Sequence, residues 1–203
     1  MDAIFLSASV PIAGRGSYHE TANPFLIQCA VRELVISVIR THRIVWGGHP
    51  SITPMIWSIC EDMDVSYANS VVLYQSQFFN DRFPEENARF GNVVFTDAVP
   101  GDRDASLYLM RQAMLSREDL VGAVLIGGMD GVEAELELFQ QYHPDAFIVP
   151  VAAAGGAARE IALRAAGTQQ VNVDDVDFAS LFHRTIDCQL PMNRPGGDRP
   201  LGG

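Results

Sequence analysis

Three pairs of adjacent glycines follow apolar runs in this sequence, and together they could hold an anion. The pairs are Gly47-Gly48, Gly127-Gly128 and Gly155-Gly156. Glycine adopts positive φ angles and lets a ligand approach main-chain N–H groups, and the helix that follows each pair offers a partial positive charge. The three pairs predict one anion-receptive crevice with exposed amides. Taken alone, each pair is also typical of a tight turn between a strand and a helix.

Two polar residues beside the first glycine pair add hydrogen-bonding groups to this predicted crevice. A neutral His49 could donate to a phosphate or a ribose, and a surface histidine without a role is the equal alternative. Ser51 lies just before an apolar helical pattern, where a serine hydroxyl commonly caps the first turn. We therefore predict that Ser51 caps this helix, and we also include it among the candidate ligand contacts.

Two carboxylates, Glu133 and Glu135, follow the second glycine pair in an acidic, helix-like stretch. Because an α-helix has 3.6 residues per turn, side chains two positions apart project about 200° from each other. Only one of the two can therefore face the crevice. A solvated helix face is the ordinary explanation of such a stretch, and the glycines before it favour a site instead.

Alternating strands and helices must position these residues. Strands that are apolar on both faces and are joined by helices form parallel sheets covered on both sides. The predicted fold is therefore α/β, a Rossmann-like doubly wound, mainly parallel sheet with helices on both faces. Ligands of such sheets bind beyond the carboxyl ends of the strands. The predicted strands are residues 3–8, 43–48, 71–76, 92–97, 121–128 and 145–151.

Helical periodicity predicts a helix in most intervals between these strands, whereas two polar segments lack this periodicity. Residues 9–22 predict a loop in which Arg15, between two glycines, could close over a phosphate. Residues 75–90 predict an irregular loop whose phenylalanines either stack a base or pin the loop to the core. The predicted helices are residues 24–38, 51–63, 104–116, 132–142 and a last one that ends near residue 167.

Composition limits the possible functions. The chain has 203 residues, of which 48% are hydrophobic, and this predicts a single domain over residues 1–191. Residues 192–203, rich in proline and glycine, predict a disordered tail. The net charge of −11 disfavours nucleic acid as a partner. The absence of a long apolar run and of a basic leader predicts a cytoplasmic protein without a membrane partner.

No metal site, disulfide or cofactor is predicted. The three cysteines lie far apart without a C-x-x-C spacing, and the histidines lack the spacing of metal ligands. The remaining class of partner is a small anionic molecule, because one well-placed arginine can hold a phosphate in a protein of unfavourable overall charge.

One segment resembles the SLOG superfamily, which includes the Lonely-Guy phosphoribohydrolases and the DNA-uptake processing proteins. Arg111 lies sixteen residues before the Gly127-Gly128 pair, as the arginine of the Lonely-Guy pattern does, and Gly131 and Glu135 match its later glycine and glutamate. The resemblance implies that Arg111 fixes a phosphate or ribose; the alternative is an ion pair with a neighbouring carboxylate, the common use of a helical arginine. The resemblance also implies that Glu135, beside C1′, stabilises an oxocarbenium-like ribose or activates water.

This sequence departs from the Lonely-Guy pattern at four positions. Gln112 replaces a lysine, Ile126 a proline and Val132 a threonine, and Asp130 adds a carboxylate to the loop. Each change weakens a compact site for a 5′-monophosphate.

Two short stretches, FLSAS and GGHPSI, are more similar to the SLOG branch found in bacterial conflict systems. This likeness implies a sensor that recognises an NAD- or ADP-ribose-derived nucleotide, as a homodimer or higher homo-oligomer. A hydrolase of N-glycosidic bonds in nucleotides is the alternative. A structural or inhibitory subunit with a vestigial crevice is the third.

Overall fold

The computed structural model of the chain describes residues 1–168 and 172–187. Six strands form one sheet in the order β4-β3-β2-β1-β5-β6, and every neighbouring pair is parallel. The chain runs outward from β1 to β4 and then returns to place β5 on the other side of β1. The carboxyl ends of β1 and β5 therefore flank a topological switch point, where open α/β sheets bind ligands. The strands are β1 (Ala3–Ser9), β2 (Arg43–Trp46), β3 (Val71–Ser76), β4 (Asn92–Thr96), β5 (Leu120–Gly127) and β6 (Phe147–Val151).

Helices cover both faces of the sheet. Buried side chains of α2, α3 and α7 form one core cluster with the sheet, and those of α4, α5 and α6 form the other. The predicted Rossmann-like α/β fold is confirmed. The helices are α1 (Tyr18–Thr21), α2 (Pro24–Val38), α3 (Thr53–Met63), α4 (Arg103–Leu115), α5 (Asp130–Tyr142), α6 (Gly156–Ala166) and α7 (Phe178–Phe182).

Strand β1 lies at the centre of the sheet, and all seven of its residues are buried. Successive side chains of a strand point to opposite faces, so Ile4 and Leu6 enter one cluster while Ala3 and Phe5 enter the other. The ring of Phe5 stacks on Phe139 of α5, with centroids 5.9 Å apart. This contact fixes α5 over β1, and α5 carries one side of the candidate site.

Strand β4 differs from the buried strand that the sequence predicts. It forms one edge of the sheet, where Phe95 is 51% exposed and Val94 is also exposed. The prediction of a sheet covered on both sides is wrong at β4, because an apolar run does not encode the position of a strand within the sheet.

The other differences concern short elements without a clear period. The predicted loop at residues 9–22 contains α1, and the segment at residues 75–90 contains two 3-10 helices, Gln77–Arg82 and Glu85–Arg89. Helix α7 and the π-helical turn His183–Asp187 were not predicted, and α7 packs against α2. The predicted strands and helices begin and end within two residues of the observed ones.

The predicted domain boundaries stay predictions, because the described residues do not test them. The single domain expected over residues 1–191 is not contradicted, and the tail at residues 192–203 lies outside the described part of the chain. Across residues 1–168 and 172–187, every helix is too short or too polar to cross a membrane.

Candidate functional site

A cavity of about 670 Å³ opens beyond the carboxyl ends of β1, β2 and β3, between α4 and the first turn of α5. Its volume falls in the range of roughly 300–1,000 Å³ that small-molecule sites occupy. The structure brings six of the candidate residues to its wall. They are Gly47, Gly48, His49, Arg111, Gly131 and Glu135.

A carboxylate and a guanidinium meet on this wall. The hydroxyl of Ser7 donates to Oε2 of Glu135 at 2.5 Å, and Nε of Arg111 donates to Oε1 at 3.3 Å. Nη2 of Arg111 lies 3.5 Å from the carbonyl oxygen of Gly131. The side chains of Arg111 and Glu135 are only 17% and 16% exposed, so water screens their interaction little. The pair is therefore fixed in orientation before any ligand arrives.

The register of β1 against α5 explains why these residues meet. Phe5 and Ser7 are two residues apart on a strand and share a face. Phe139 and Glu135 are four residues apart on a helix and also share a face. Because Phe5 stacks on Phe139, the next pair along the same faces is Ser7 and Glu135.

The side chain of Glu133 points away from the cavity, as its angular separation from Glu135 on the helix requires. Its Oε2 accepts a hydrogen bond from Nη2 of Arg164 on α6 at 2.6 Å, outside the cavity. The prediction that only one of the two glutamates faces the crevice agrees with this arrangement, and the residue at the cavity is Glu135.

The N-terminus of α5 is open towards the cavity. No side chain caps this helix, and its first residues from Met129 to Val132 line the wall. The first N–H groups of a helix generally lack intrahelical partners and carry the positive end of the helix dipole. Here the N–H of Val132 donates to the carbonyl of Met129 at 2.9 Å, so the amides of Asp130 and Gly131 are the candidate donors to an anion. A Cβ on Gly131 would lie 3.1 Å from Nη2 of Arg111, so glycine leaves room for the guanidinium there. Helix terminus and guanidinium together form a corner that attracts an anion.

The carboxylate of Asp130, which the Lonely-Guy pattern lacks, pairs with Arg15 in the loop between β1 and α1. Nη2 of Arg15 donates to its Oδ1 at 2.9 Å and to its Oδ2 at 3.3 Å. Arg15 also lines the cavity. The negative charge that the sequence places at this helix terminus is therefore balanced by a second arginine.

His49 and Ser51 bond to each other instead of capping a helix. The N–H of Ser51 donates to Nδ1 of His49 at 3.2 Å, and the Ser51 hydroxyl lies 2.8 Å from the same nitrogen. The N–H of Val10 donates to that hydroxyl at 3.3 Å. Helix α3 begins at Thr53 without a side-chain cap, so the predicted capping role of Ser51 is wrong. The helix starts two residues later than its apolar pattern indicates, and the hydroxyl is held by His49.

These contacts define the chemical state of His49. Loss of solvent around the ring, and then the positive charge of Arg15, lower the pKa of His49 below its ordinary 6.5. The ring is consequently neutral at pH 7. Because Nδ1 accepts from the Ser51 amide, the proton resides on Nε2, which can donate to a ligand in the cavity.

The second and third glycine pairs lie against each other, and several of their amides are already bonded within the protein. The N–H of Gly128 donates to the carbonyl of Ser9 at 2.8 Å, and the N–H of Gly156 donates to the Thr21 hydroxyl at 3.1 Å. The N–H of Gly155 bonds to the carbonyl of Ala152. The expectation that all three pairs expose their amides is therefore wrong, because the end of β1, the end of α1 and the chain before α6 accept from these donors. Ligand contacts of Gly127, Gly128, Gly155 and Gly156, and of Ser51, stay predictions.

Replacing Gly156 with alanine is expected to lower the free energy of unfolding by about 2–3 kcal/mol, from left-handed strain and a backbone clash together. Gly156 has φ +65°, and a Cβ there would lie 2.8 Å from the carbonyl carbon of Gly127. Gly14→Ala is the matched control, because Gly14 has φ +87° and open space around it. Urea denaturation of both variants should show the larger loss for Gly156→Ala. Equal losses would mean that the contact between the glycine pairs contributes nothing.

Several cavity residues escape prediction from the sequence. Ser7 is the most informative, because a buried polar residue near the end of an apolar strand is a signal that could have found it. Gln75 donates from its side chain to the carbonyl of Gly48 at 3.1 Å and shapes the same wall. Arg15, Arg82, Phe79 and Phe83, weighed only as parts of loops, also line the cavity, together with Arg103 of α4.

Comparison with known proteins identifies the family. Residues 17–186, most of the chain, match the model of the SLOG cluster3 family. Strand β1 with Ser7, and the loop residue Arg15, lie before the matched range. Neither the curated proteins nor the solved structures include a match. SLOG membership suggests a nucleotide-derivative-related domain, and it confirms the resemblance that Arg111, Gly131 and Glu135 indicate. The chain belongs to the SLOG cluster3 family.

Proposed function

We propose that the protein is a sensor that binds an NAD- or ADP-ribose-derived nucleotide in the cavity between α4 and α5. In this proposal it acts in the bacterial cytoplasm, in a defence or signalling system, and passes the binding event to further copies of itself or to a partner. The phosphates of the ligand lie against Arg111 and the first turn of α5.

One observation carries this proposal: Arg111 and the uncapped N-terminus of α5 face the same cavity. A guanidinium binds phosphate through charge-assisted, often bidentate, hydrogen bonds, and helix N-termini are common phosphate sites. Four arginines and three acidic residues line the cavity, so its wall carries a net positive charge in a chain with a net charge of −11. An anionic ligand is the class that this wall favours.

The rest of the wall suits the organic parts of a nucleotide. Phe79 and Phe83 can stack a base, since an aromatic face accepts any base without a hydrogen-bond pattern. The neutral His49 can donate from Nε2 to a ribose hydroxyl or a phosphate. Gly47 and Gly48 line the wall at the end of β2, and the side chain of Gln75 fills the space beside Gly48.

Two features favour sensing over turnover. Both oxygens of Glu135 already accept hydrogen bonds, from Ser7 and from Arg111, which holds the carboxylate in an ion pair. Val132, at the position of the threonine in the Lonely-Guy pattern, is buried and supplies no hydroxyl to a phosphate. A site that fixes its carboxylate and lacks this hydroxyl is better suited to binding than to hydrolysis.

The same Glu135 supports hydrolysis as a second candidate function. It lies on the cavity wall beside Arg111, and each carboxylate oxygen has a second lone pair. In N-glycosidic hydrolysis the bond between C1′ and the base breaks and the hydroxyl of a water adds to C1′. The proton of that water goes to the departing adenine or, when neutral nicotinamide leaves NAD⁺, to solvent. A carboxylate beside C1′ would stabilise the positive charge or take the proton of the water.

A panel of AMP, NAD⁺ and ADP-ribose tests both functions. For a sensor we expect ADP-ribose, at a free concentration of 100 times its Kd, to raise the melting temperature by about 5–10 °C. We expect no release of adenine or nicotinamide above the rate without protein. Release that Glu135→Gln lowers at least ~100-fold would establish the hydrolase instead. Neither stabilisation nor release would contradict both functions.

We also propose that the protein forms a homodimer or a higher homo-oligomer. Tyr108 and Leu109 of α4 are exposed, and neighbouring exposed apolar side chains are typical of an interface. Analytical ultracentrifugation with and without ADP-ribose measures the assembly. A monomer at every concentration and in both conditions would contradict this proposal.

A further inference from the structure

A second pair of arginines lines the cavity beyond the end of β3. Arg82 lies in the 3-10 helix that follows β3, and Arg103 begins α4. Neither belongs to the corner formed by Arg111 and the N-terminus of α5. The aromatic residues Phe79 and Phe83 line the cavity from the same segment as Arg82.

The spacing along α4 separates the two cationic regions. Arg103, Leu107 and Arg111 recur every four residues and all face the cavity. With a rise of 1.5 Å per residue, the eight residues from Arg103 to Arg111 span about 12 Å of helix axis. Leu107 and Met110 lie between them and present apolar surface. The two arginines of α4 are therefore suited to separate anionic groups on either side of an apolar or neutral unit.

The acidic partners of this second pair are weak competitors for a phosphate. Nη1 of Arg103 contacts Asp104 at 2.7 Å, and Nε of Arg82 contacts Asp81 at 3.8 Å. Both carboxylates are well exposed, and exposed ion pairs of adjacent residues contribute little. A phosphate monoester carries up to two charges and three acceptor oxygens, so it can displace these carboxylates from the guanidinium groups.

The end of β2 also lacks the group that would recognise a free ribose hydroxyl. Dinucleotide-binding sheets commonly use an acidic residue for the ribose 2′-hydroxyl and an arginine where the ribose carries a 2′-phosphate. Here β2 is followed by Gly47, Gly48 and His49. The three acidic residues on the cavity wall belong to α4 and α5. Arg82, after β3, and Arg103, at the start of α4, face the cavity instead.

We infer that Arg82 and Arg103 form a second phosphate subsite, which selects a nucleotide with a phosphate monoester on its adenosine ribose. This inference rests on the proposed function, because it assigns the first phosphates of the ligand to Arg111 and α5. The ligand class is then a 2′-phosphorylated derivative of ADP-ribose or NAD⁺ rather than the unphosphorylated molecule.

Calorimetric titration with ADP-ribose and with 2′-phospho-ADP-ribose tests the subsite, because the probes differ by one phosphate. Wild-type protein is expected to bind the phosphorylated probe roughly 10- to 100-fold more tightly at low salt, as charge-assisted hydrogen bonds allow. In the double variant Arg82→Gln/Arg103→Gln the affinities for the two probes should become equal, and the lower positive charge of the wall should weaken the binding of ADP-ribose by a smaller factor than that of the phosphorylated probe. Arg32→Gln is the matched control, because Arg32 pairs with Asp62 at 3.6 Å on the surface and does not line the cavity.

Each outcome decides between the two proposals. Equal affinity of the wild type for both probes would overturn the subsite while leaving the proposed function in place. A preference that persists in the double variant would also overturn the assignment to Arg82 and Arg103. Binding of neither probe would overturn the proposed function and the subsite with it. Unchanged melting temperatures of the variants without ligand would show that the substitutions act on binding.

Discussion

Replacing Arg111 with methionine is expected to weaken the binding of ADP-ribose roughly 100-fold, or about 3 kcal/mol. Methionine fills a similar volume, so the change removes the charge and the donors with little loss of packing. Arg111 is the least exposed of the arginines that form ion pairs across the described residues. Its bonds to phosphate are therefore the least weakened by competing water. Calorimetric titration at fixed salt measures the effect.

Two further variants separate binding from folding. Arg117→Met is the control, because Arg117 is similarly shielded at 22% exposure and bonds to Asp119 at 2.6 Å outside the cavity. It should bind ADP-ribose like the wild type. The variant Arg111→Met/Glu135→Gln avoids an unpaired carboxylate and should fold where the single variant is unstable. An Arg111→Met protein that binds with wild-type affinity would contradict the assigned role.

Replacing Phe139 with alanine is expected to cost about 3–5 kcal/mol of stability, the usual range for a buried phenylalanine. Phe139 is fully buried, and its ring contacts Phe5 on β1 and the ring of His143. The same contact sets the register that brings Ser7 to Glu135, so the variant should also bind ADP-ribose more weakly. Urea denaturation gives the free energy of unfolding, and titration of the folded protein gives the affinity.

Phe139→Leu is the matched control for this prediction. Leucine keeps an apolar side chain in the core and leaves a smaller cavity, so its loss of stability should be clearly smaller than that of alanine. A loss below about 1 kcal/mol for Phe139→Ala would contradict the packing of α5 on β1, since such values are typical of surface substitutions.

The sequence predicts the fold well because hydrophobic periodicity is local. The runs at residues 3–8 and 121–128 are mainly apolar, and they become the neighbouring strands β1 and β5. The exposure of β4 follows from the order of strands in the sheet, which no single run encodes. Helix α1 and the two 3-10 helices are too short to show a period.

The candidate site is only partly predictable for a similar reason. Arg111, Gly131 and Glu135 follow one another along the chain at a recognisable spacing, and the structure brings them together. Ser7 contacts Glu135 from 128 residues away, and such a contact depends on the packing of α5 over β1. The amide of Gly128 cannot be judged from its sequence either, because its acceptor is Ser9 on another strand.

Asp130 shows how the structure changes the interpretation of one residue. In the sequence it adds a negative charge where an anion should bind. In the structure Arg15 holds this carboxylate at 2.9 Å, and both residues line the cavity. The corner around Arg111 therefore keeps its attraction for phosphate.

The most direct test of the central claim is a crystal structure of the protein grown with ADP-ribose. We expect the diphosphate within hydrogen-bonding distance of the Arg111 guanidinium and of the first amides of α5, with the adenine against Phe79 or Phe83. A ligand bound elsewhere on the protein, or a diphosphate far from Arg111 with the Arg111–Glu135 pair untouched, would contradict it.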